Sequence, residues 1–268
     1  MPDKFIGFFR LIDACEGPGC PICRCMIADT RHYLDSVLYE HVTDPATRRR
    51  LRDSWGLCNW HAWLLREIPN SAFGAAILGE DLLGAAIRRF ERPAGVRTRG
   101  LLTRLRNLAG TRARSILAEG FRRRPPCPAC VHLAAAEDRY VESVLRFATD
   151  PQFERAYEQS QGLCVPHALM VVERAPADRQ ADPFIARTVA KWAELRRDLE
   201  GFVSKHDHRN RRPCTEAEAT APVRAFEVLT GAQGLVLRDL RESRPHRRRD
   251  LARSGNTGGT APTGERGS

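Results

Sequence analysis

Strand-forming patterns are scarce in this chain of 268 residues. Runs in which Val, Ile and Thr alternate with polar residues are nearly absent, and aromatic residues make up only 7% of the composition. Ala, Leu, Arg and Glu dominate the periodic stretches instead, and these residue types favour helices. The sequence therefore predicts an all-α fold with essentially no strand.

Long hydrophobic runs and targeting signals are also lacking. Charged residues interrupt the apolar patch of the first fifteen residues, and no small-residue cleavage site follows it, so we expect no signal peptide. The most apolar later stretch, Ser71 to Ile87, is too short to span a bilayer and predicts a buried helix. We expect a cytoplasmic protein, in which cysteines serve as reduced thiols and metal ligands rather than as disulfides.

Recognisable catalytic motifs are missing as well. The chain has no nucleophile elbow, no phosphate-binding loop and no HExxH helix, and each absence argues against the corresponding class of enzyme. The sequence therefore gives no positive reason to expect an enzyme.

Lysine is rare, with three residues against 40 arginines, and the net charge of +10 is unevenly distributed. From Arg88 to Arg124 there are twelve arginines and only two acidic residues, Glu91 and Glu119. This uneven distribution of arginine helps to divide the chain into four predicted segments. They are a first module (1–92), a basic connector (93–124), a second module (125–232) and a disordered Arg-rich tail (233–268). The excess positive charge belongs to the connector and the tail.

An internal repeat explains the two modules. The sequence CPIC at Cys20 recurs as CPAC at Cys127, and GLCNWH at Gly56 recurs as GLCVPH at Gly162. The offset is 107 residues at first and 106 after a one-residue deletion. So many matches in the same order indicate two copies of one helical unit.

The repeated cysteines and histidines fall at helix starts. Proline follows Cys20 and Cys127, as is typical of the first helical residue, and glycine precedes the CxxH motifs, as is typical of a helix end. Residues at i and i+3 in a first turn point the same way, so each CxxC and each CxxH can hold one ion in common. The sequence predicts two Cys3His zinc sites, one per module. Their ligands are Cys20, Cys23, Cys58 and His61 in one site, and Cys127, Cys130, Cys164 and His167 in the other.

Other uses of the same cysteines remain open. A Cys3His set can hold an iron-sulfur cluster, and a CPxC at a helix start has the lowered thiol pKa of redox proteins, although the βαβ setting is missing. Cysteine can also act as a small buried apolar residue. Cys15 and Cys25 are predicted to be free thiols. So is Cys214, although it could form a weaker third site with His206 and His208.

Two acidic residues stand in the most apolar stretch. Glu80 and Asp81 could receive the second ring N–H of a metal-bound histidine, pair with Arg209 or the connector arginines, or lie on a narrow solvated stripe. The corresponding part of the second copy has no acidic pair. The sequence leaves these alternatives open.

The connector resembles a basic amphipathic helix. Leu101, Leu105 and Leu108 share one face, while arginines fill the other, a pattern found in helices that bind nucleic acid or anionic membranes and also in ordinary solvated helices. The candidate anion-binding residues are Arg104, Arg106, Arg112 and Arg114.

At CPIC, YLDSVLYEHVTDP, GLCNWHAWLL and GEDLL the chain resembles a bacterial family catalogued as domain of unknown function 6062. The resemblance includes a late Lys-x-Asp-aromatic-Arg signature, here Lys205, Asp207 and Arg209, with His208 in the aromatic place. It implies a fold and a site but no activity. Because both predicted sites use all four coordination positions, we expect them to be structural, in a zinc-stabilised helical scaffold or interaction protein. Its protein partner is unknown.

Overall fold

The computed structural model describes residues 4–91, 117–175, 182–206 and 212–235. The first copy contains five helices: α1 (Ile6–Cys15), α2 (Pro21–Tyr39), α3 (Pro45–Asp53), α4 (Asn59–Glu67) and α5 (Ala72–Glu91). A sixth, α6, is described over 117–122. The second copy contains α7 (Pro128–Phe147), α8 (Pro151–Gln159), α9 (Val165–Arg174), α10 (Asp182–Lys205) and α11 (Glu216–Thr230). These residues contain no strand, so the all-α prediction is confirmed. Residues 93–116 of the predicted connector and residues 236–268 of the predicted tail lie outside the described residues.

Local sequence signals set the helix boundaries as predicted. The Asp44 carboxylate caps α3 by accepting a hydrogen bond from the backbone N–H of Thr47 at 2.7 Å, and Asp150 caps α8 in the same way. Gly56 and Gly162 follow α3 and α8 with φ angles of +90° and +86°, a conformation that glycine adopts without the strain of a Cβ atom. The two copies therefore repeat the same order of helices.

The centre of the fold is an antiparallel pair formed by α2 and α7. The Tyr140 hydroxyl on α7 donates a hydrogen bond to the Asp29 carboxylate on α2 at 3.1 Å. One turn further along α2, the Tyr33 ring stacks on His132, which lies two turns earlier in α7, with the centroids 4.7 Å apart. Because the contacts advance along one helix as they recede along the other, the start of each helix lies beside the end of its partner.

The surrounding helices enclose this pair within one compact unit, residues 1–235. Near the end of α7, Phe8 of α1 packs against Phe147 with the ring centroids 4.6 Å apart. In the second copy, Tyr157 of α8 packs against Phe184 of α10 at 4.3 Å. These aromatic contacts hold α1 against α7 and α10 against α8, and α10 also packs on α9, the CxxH helix of the second copy.

Helix α5 is much more exposed than its sequence suggests. Only Leu78 and Ala85 are buried along its length, whereas Phe73 is 78% exposed and Phe90 is 66% exposed. The prediction of a buried helix was wrong, because one face of α5 packs on α3 and α4 while the opposite face is also apolar. No helix among the described residues is long and apolar enough to cross a bilayer.

Candidate metal centres

The eight repeated cysteines and histidines form two clusters, and in each cluster one potential ligand atom per residue lies within 4.8 Å of all the others. Cluster 1 consists of Cys20, Cys23, Cys164 and His167. Cluster 2 consists of Cys58, His61, Cys127 and Cys130. Each cluster therefore contains three thiols and one imidazole, as the repeat predicted, and could bind a metal ion.

The predicted pairing of these residues was wrong. We expected the CPxC of each copy to meet the CxxH of the same copy, but each cluster combines the CPxC of one copy with the CxxH of the other. Helix α2 has 19 residues and is about 28 Å long at a rise of 1.5 Å per residue. Cys20 lies at its start, and the nine residues of α3, about 14 Å long, are too short to bring Cys58 back to it.

The antiparallel packing of α2 and α7 brings each CPxC close to the CxxH of the other copy. The end of α2, the α4 helix and the start of α7 share one hydrophobic cluster, in which Leu38 and Leu64 pack with Cys127 and Ala129. Cys58 and His61 at the start of α4 therefore meet the CPxC of the second copy. By the symmetry of the repeat, Cys164 and His167 meet the CPxC of the first.

The geometry of cluster 1 follows from two helix starts that face each other. Cys20 and Cys164 are the N-cap residues of α2 and α9, and Cys23 and His167 stand three residues later in the same first turns. The Nδ1 atom of His167 lies 3.4 Å from Sγ of Cys20, 3.4 Å from Sγ of Cys23 and 3.1 Å from Sγ of Cys164. All four residues are buried.

Cluster 2 repeats this arrangement at the starts of α4 and α7. The Nδ1 atom of His61 lies 3.1 Å from Sγ of Cys58, 3.6 Å from Sγ of Cys127 and 3.4 Å from Sγ of Cys130. Here Cys58 and Cys130 are only partly buried. The two clusters therefore share their donor atoms and differ in how much solvent reaches them.

The spacing of the donor atoms fits a tetrahedral ion. Bond lengths of about 2.3 Å to sulfur and about 2.0 Å to nitrogen place tetrahedral ligand atoms about 3.8 Å apart for two sulfurs and about 3.5 Å apart for sulfur and nitrogen. The Sγ atoms of Cys23 and Cys164 are 3.8 Å apart, and those of Cys58 and Cys130 are 3.7 Å apart. A disulfide needs about 2.05 Å, and all nine cysteines are free thiols.

Contacts within each cluster redistribute its protons. Hydrogen bonds from Cys127 and Cys130 hold the pKa of Cys58 far below its usual range, and hydrogen bonds with Cys127 and Cys58 raise the pKa of Cys130. Burial lowers the pKa of His61, but hydrogen bonds that the protonated ring donates to Cys127 and Cys58 outweigh it and raise the pKa to about 9. A hydrogen bond from Cys130 lowers the pKa of Cys127 as well, so the contacts favour the thiolate form of Cys58 and Cys127 beside a charged imidazole. A metal ion would replace the remaining protons.

A buried carboxylate that the sequence analysis missed lies behind one ligand. Glu137 of α7 is 2% exposed, and its Oε1 atom lies 3.4 Å from Nε2 of His167. The candidates for this role were Glu80 and Asp81. Asp81 instead pairs with Arg52, whose Nη1 atom donates hydrogen bonds to both carboxylate oxygens at 2.9 and 2.8 Å. Glu80 is exposed to solvent.

The remaining candidates divide between free groups and positions outside the described residues. Cys15 and Cys25 are buried free thiols, and Cys214 is a partly buried one. No third cluster involves them within the part of the chain that the structure describes. The following candidates lie outside that part: Asp207, His208, Arg209, Arg104, Arg106, Arg112 and Arg114.

Comparison with known sequences places this arrangement in a family. Residues 6–234 match a family described as "Family of unknown function (DUF6062)". The chain belongs to this family. It is also 26% identical over 216 residues to an "Uncharacterized 23.9 kDa protein in xynA 3'region" of Caldicellulosiruptor sp. (strain Rt8B.4), a match that covers 80% of this chain and 96% of that protein. No solved structure matches.

All eight cluster residues fall inside the part of the chain that matches the DUF6062 family. The two clusters and the antiparallel pair thus belong to the shared region and not to the Arg-rich tail. Since the family description states no activity, any functional conclusion for this member must come from the chemistry of the clusters.

Proposed function

We propose that this DUF6062 protein is a zinc-stabilised helical scaffold or interaction protein with two structural Cys3His sites. The observation that carries the proposal is the exchange of ligands between the copies. Each cluster takes two residues from each half of the chain, so an ion in either cluster joins residues that are more than 60 positions apart. Such a link stabilises a tertiary fold more than it serves a reaction.

The donor set favours zinc and a structural role. Three thiolates and one imidazole form a closed four-coordinate site, whereas catalytic zinc sites keep one position for water or substrate. When bound, the metal supplies four strong bonds that hold two helix starts together. The residues that hold these helix starts in place are the apolar side chains around Leu38, Leu64 and Ala129.

A role in binding another protein is supported by the exposed side of α5. The side chains of Phe73, Leu83, Ile87 and Phe90 are each more than half exposed, and they follow one another at spacings of ten, four and three residues along one helix. Exposed apolar groups that cluster on one face are typical of interaction surfaces. This surface favours an interaction protein over an enzyme.

A redox or iron-sulfur function uses the same residues and is the main alternative. The partial exposure of Cys58 and Cys130 in cluster 2 favours it, since reactive thiols need access to solvent. Colour separates the alternatives, because zinc is colourless in proteins while iron-sulfur clusters absorb visible light. A third proposal, binding of polyanions or anionic membranes, rests on the charge of the connector sequence alone.

Elemental analysis of the purified full chain tests the main proposal. We expect two equivalents of metal per chain, chiefly zinc, after purification without chelator. The Cys164→Ser variant should retain one equivalent, and the Cys214→Ser variant should retain two, because Cys214 belongs to neither cluster. Metal content below half an equivalent in the unmodified protein contradicts the proposal, and iron with a visible absorption band supports the alternative.

A further inference from the structure

The two clusters differ behind their histidine ligands. In both clusters Nδ1 faces the thiols, which leaves Nε2 pointing away from them. In cluster 1, Oε1 of Glu137 lies 3.4 Å from Nε2 of His167. Both atoms are fully buried, and neither has a hydrogen-bond partner among the described residues, so the contact between them is an ion-pair distance that a small rotation of the carboxylate turns into a hydrogen bond. The carboxylate is therefore the one polar group placed to receive the second ring N–H.

Among the residues that the structure describes, cluster 2 has no such carboxylate. The position that corresponds to Glu137 in the first copy, 107 residues earlier, is Thr30, whose hydroxyl donates to the backbone oxygen of Met26 at 2.7 Å. The Nε2 atom of His61 is buried and has no partner in the described residues. Its closest ring neighbour is Trp60, with the centroids 4.5 Å apart. The divergence of one position in the repeat thus removes the carboxylate from one cluster only.

Solvent access differs in the same direction. The four residues of cluster 1 are all buried, and Cys23, Cys164 and His167 have no exposed surface. In cluster 2, Cys58 and Cys130 are partly open to solvent. Two of the three cysteines of cluster 2 therefore lie closer to solvent than any cysteine of cluster 1.

A carboxylate behind a ligating imidazole has known chemical effects. It fixes the tautomer that carries the proton on Nε2, holds the ring in its orientation and makes Nδ1 a stronger donor. Removing such a group typically weakens metal binding about 10- to 100-fold. Cluster 1 has this support and cluster 2 does not.

We infer that the two sites have different roles: cluster 1 holds its metal more tightly and releases it slowly, and cluster 2 is an exchangeable zinc site that releases its metal first. Glu137 acts as the positioning residue that separates them. The inference rests on the proposed function, since it assumes that both clusters bind metal. The scaffold then carries one site, cluster 2, at which zinc exchanges or a competing thiol ligand takes the place of a cysteine.

Release kinetics on the metal-loaded full chain test this inference. A chromophoric chelator in excess should remove one equivalent quickly and one slowly. Alkylation with iodoacetamide during release, mapped by mass spectrometry, should label the thiols of cluster 2 in the fast phase and those of cluster 1 in the slow phase. The cluster 2 thiols are Cys58, Cys127 and Cys130, and the cluster 1 thiols are Cys20, Cys23 and Cys164.

The Glu137→Gln variant tests the positioning residue directly. It should accelerate the slow phase about 10- to 100-fold and leave the fast phase unchanged. Glu154→Gln is the matched control, because Glu154 pairs with Arg187 at 2.7 Å and touches neither cluster; it should leave both phases unchanged. In nuclear magnetic resonance spectra, the Nε2-bound proton of His167 should shift in Glu137→Gln and not in Glu154→Gln, an effect that general loosening of the fold does not produce.

The outcomes separate the inference from the proposed function. Release in a single phase, release from cluster 1 first, or an unchanged slow phase in Glu137→Gln overturns the inference while both metals remain established. If Glu137→Gln does not fold, the order of labelling in the unmodified protein still decides. A purified chain that holds no metal at all overturns the proposed function instead.

Discussion

The Sγ atoms of Cys58 and Cys130 lie 3.7 Å apart, although 72 residues separate them along the chain. One belongs to the CxxH of the first copy and the other to the CPxC of the second. The repeat is therefore not a pair of independent metal modules. Its two copies complete each other, because each cluster needs two ligands from each copy.

Metal removal should destabilise the whole unit and not one half of it. Structural zinc contributes about 10 to 16 kcal/mol of apparent binding free energy in small peptides, and even a fraction of that value exceeds much of the stability of a typical domain. We expect chelation to lower the free energy of unfolding by several kcal/mol. Thermal unfolding followed by circular dichroism, with and without chelator, measures this.

The loss should appear in helices of both copies. Hydrogen exchange measured after chelation should show reduced protection in α4 and α7 together and in α2 and α9 together. Reduced protection confined to one copy would contradict the exchange of ligands between the copies.

The buried hydroxyl of Tyr157 supports the backbone that leads into Cys164, a ligand residue of cluster 1. Tyr157 shares a hydrogen bond with the Thr188 hydroxyl at 2.6 Å and accepts one from the backbone N–H of Leu163 at 3.0 Å, next to Cys164. Tyr157→Phe leaves both groups without this partner and should cost about 1 to 3 kcal/mol in the free energy of unfolding. Denaturant unfolding measures the change.

Tyr39→Phe is the control for that substitution. Tyr39 is 55% exposed and makes one hydrogen bond, to the backbone oxygen of Pro69, which water can replace. Its loss should have a much smaller effect. Equal effects of the two substitutions would show that the buried contact at Leu163 adds nothing.

The cap of α8 should make stability depend on pH. Burial raises the pKa of Asp150, but hydrogen bonds from Lys4 and from the backbone N–H groups of Phe153 and Gln152 outweigh it and lower the pKa. Because the folded-state pKa lies below the unfolded value of about 3.9, the ionised group stabilises the fold above about pH 4. This contribution is lost as the pH falls through the folded-state pKa.

Asp150→Asn keeps a capping oxygen but removes the charge that faces the helix N-terminus and Lys4, and should therefore lower the free energy of unfolding by about 0.3 to 1 kcal/mol at neutral pH. The difference from the unmodified protein should shrink as the pH falls below about 4. Urea unfolding of both proteins across this range measures the difference. A gap that stays constant or widens in acid would refute the assigned role of the carboxylate.

The connector charge predicts salt-sensitive binding that is separate from metal binding. Replacing Arg104, Arg106, Arg112 and Arg114 by Gln should abolish binding to anionic vesicles or DNA at low salt, because it removes four positive charges from the connector. In the unmodified protein this binding should weaken as salt is added, since the screening length falls to about 10 Å near 0.1 M. Metal content should not change. If the unmodified protein ignores both partners, or the variant binds them equally well, the connector is not the contact surface.

The local structure of this chain was predictable because it depends on short-range signals. Proline after Cys20 and Cys127, aspartate caps at Asp44 and Asp150, and glycine at Gly56 all act within a few residues, and the structure places helix boundaries there. The eight ligand residues were predictable for the same reason, since the repeat marks them twice.

The pairing of the ligands depends on tertiary geometry, which the repeat does not encode. A comparison of helix lengths could have revealed the correct pairing. Helix α2 is about twice as long as α3, so α3 is too short to bring Cys58 back to Cys20 at the start of α2. Glu137 has no such signal: it is one glutamate in an amphipathic helix, and only the packing of α7 against α9 shows that it faces His167. The ion pair of Asp81 with Arg52 likewise depends on the packing of α5 against α3, which no short-range signal predicts.

The most direct test of two metal sites built across the copies is a thiol-labelling experiment on the Cys58→Ser variant. Loss of one ligand should free the other thiols of the same cluster while the second metal protects its own. Cys127 and Cys130 should therefore be alkylated rapidly in the metal-loaded variant, and Cys20, Cys23 and Cys164 should stay protected. Rapid labelling of Cys20 and Cys23 with protection of Cys127 and Cys130 would show that each copy builds its own site, and would contradict the account.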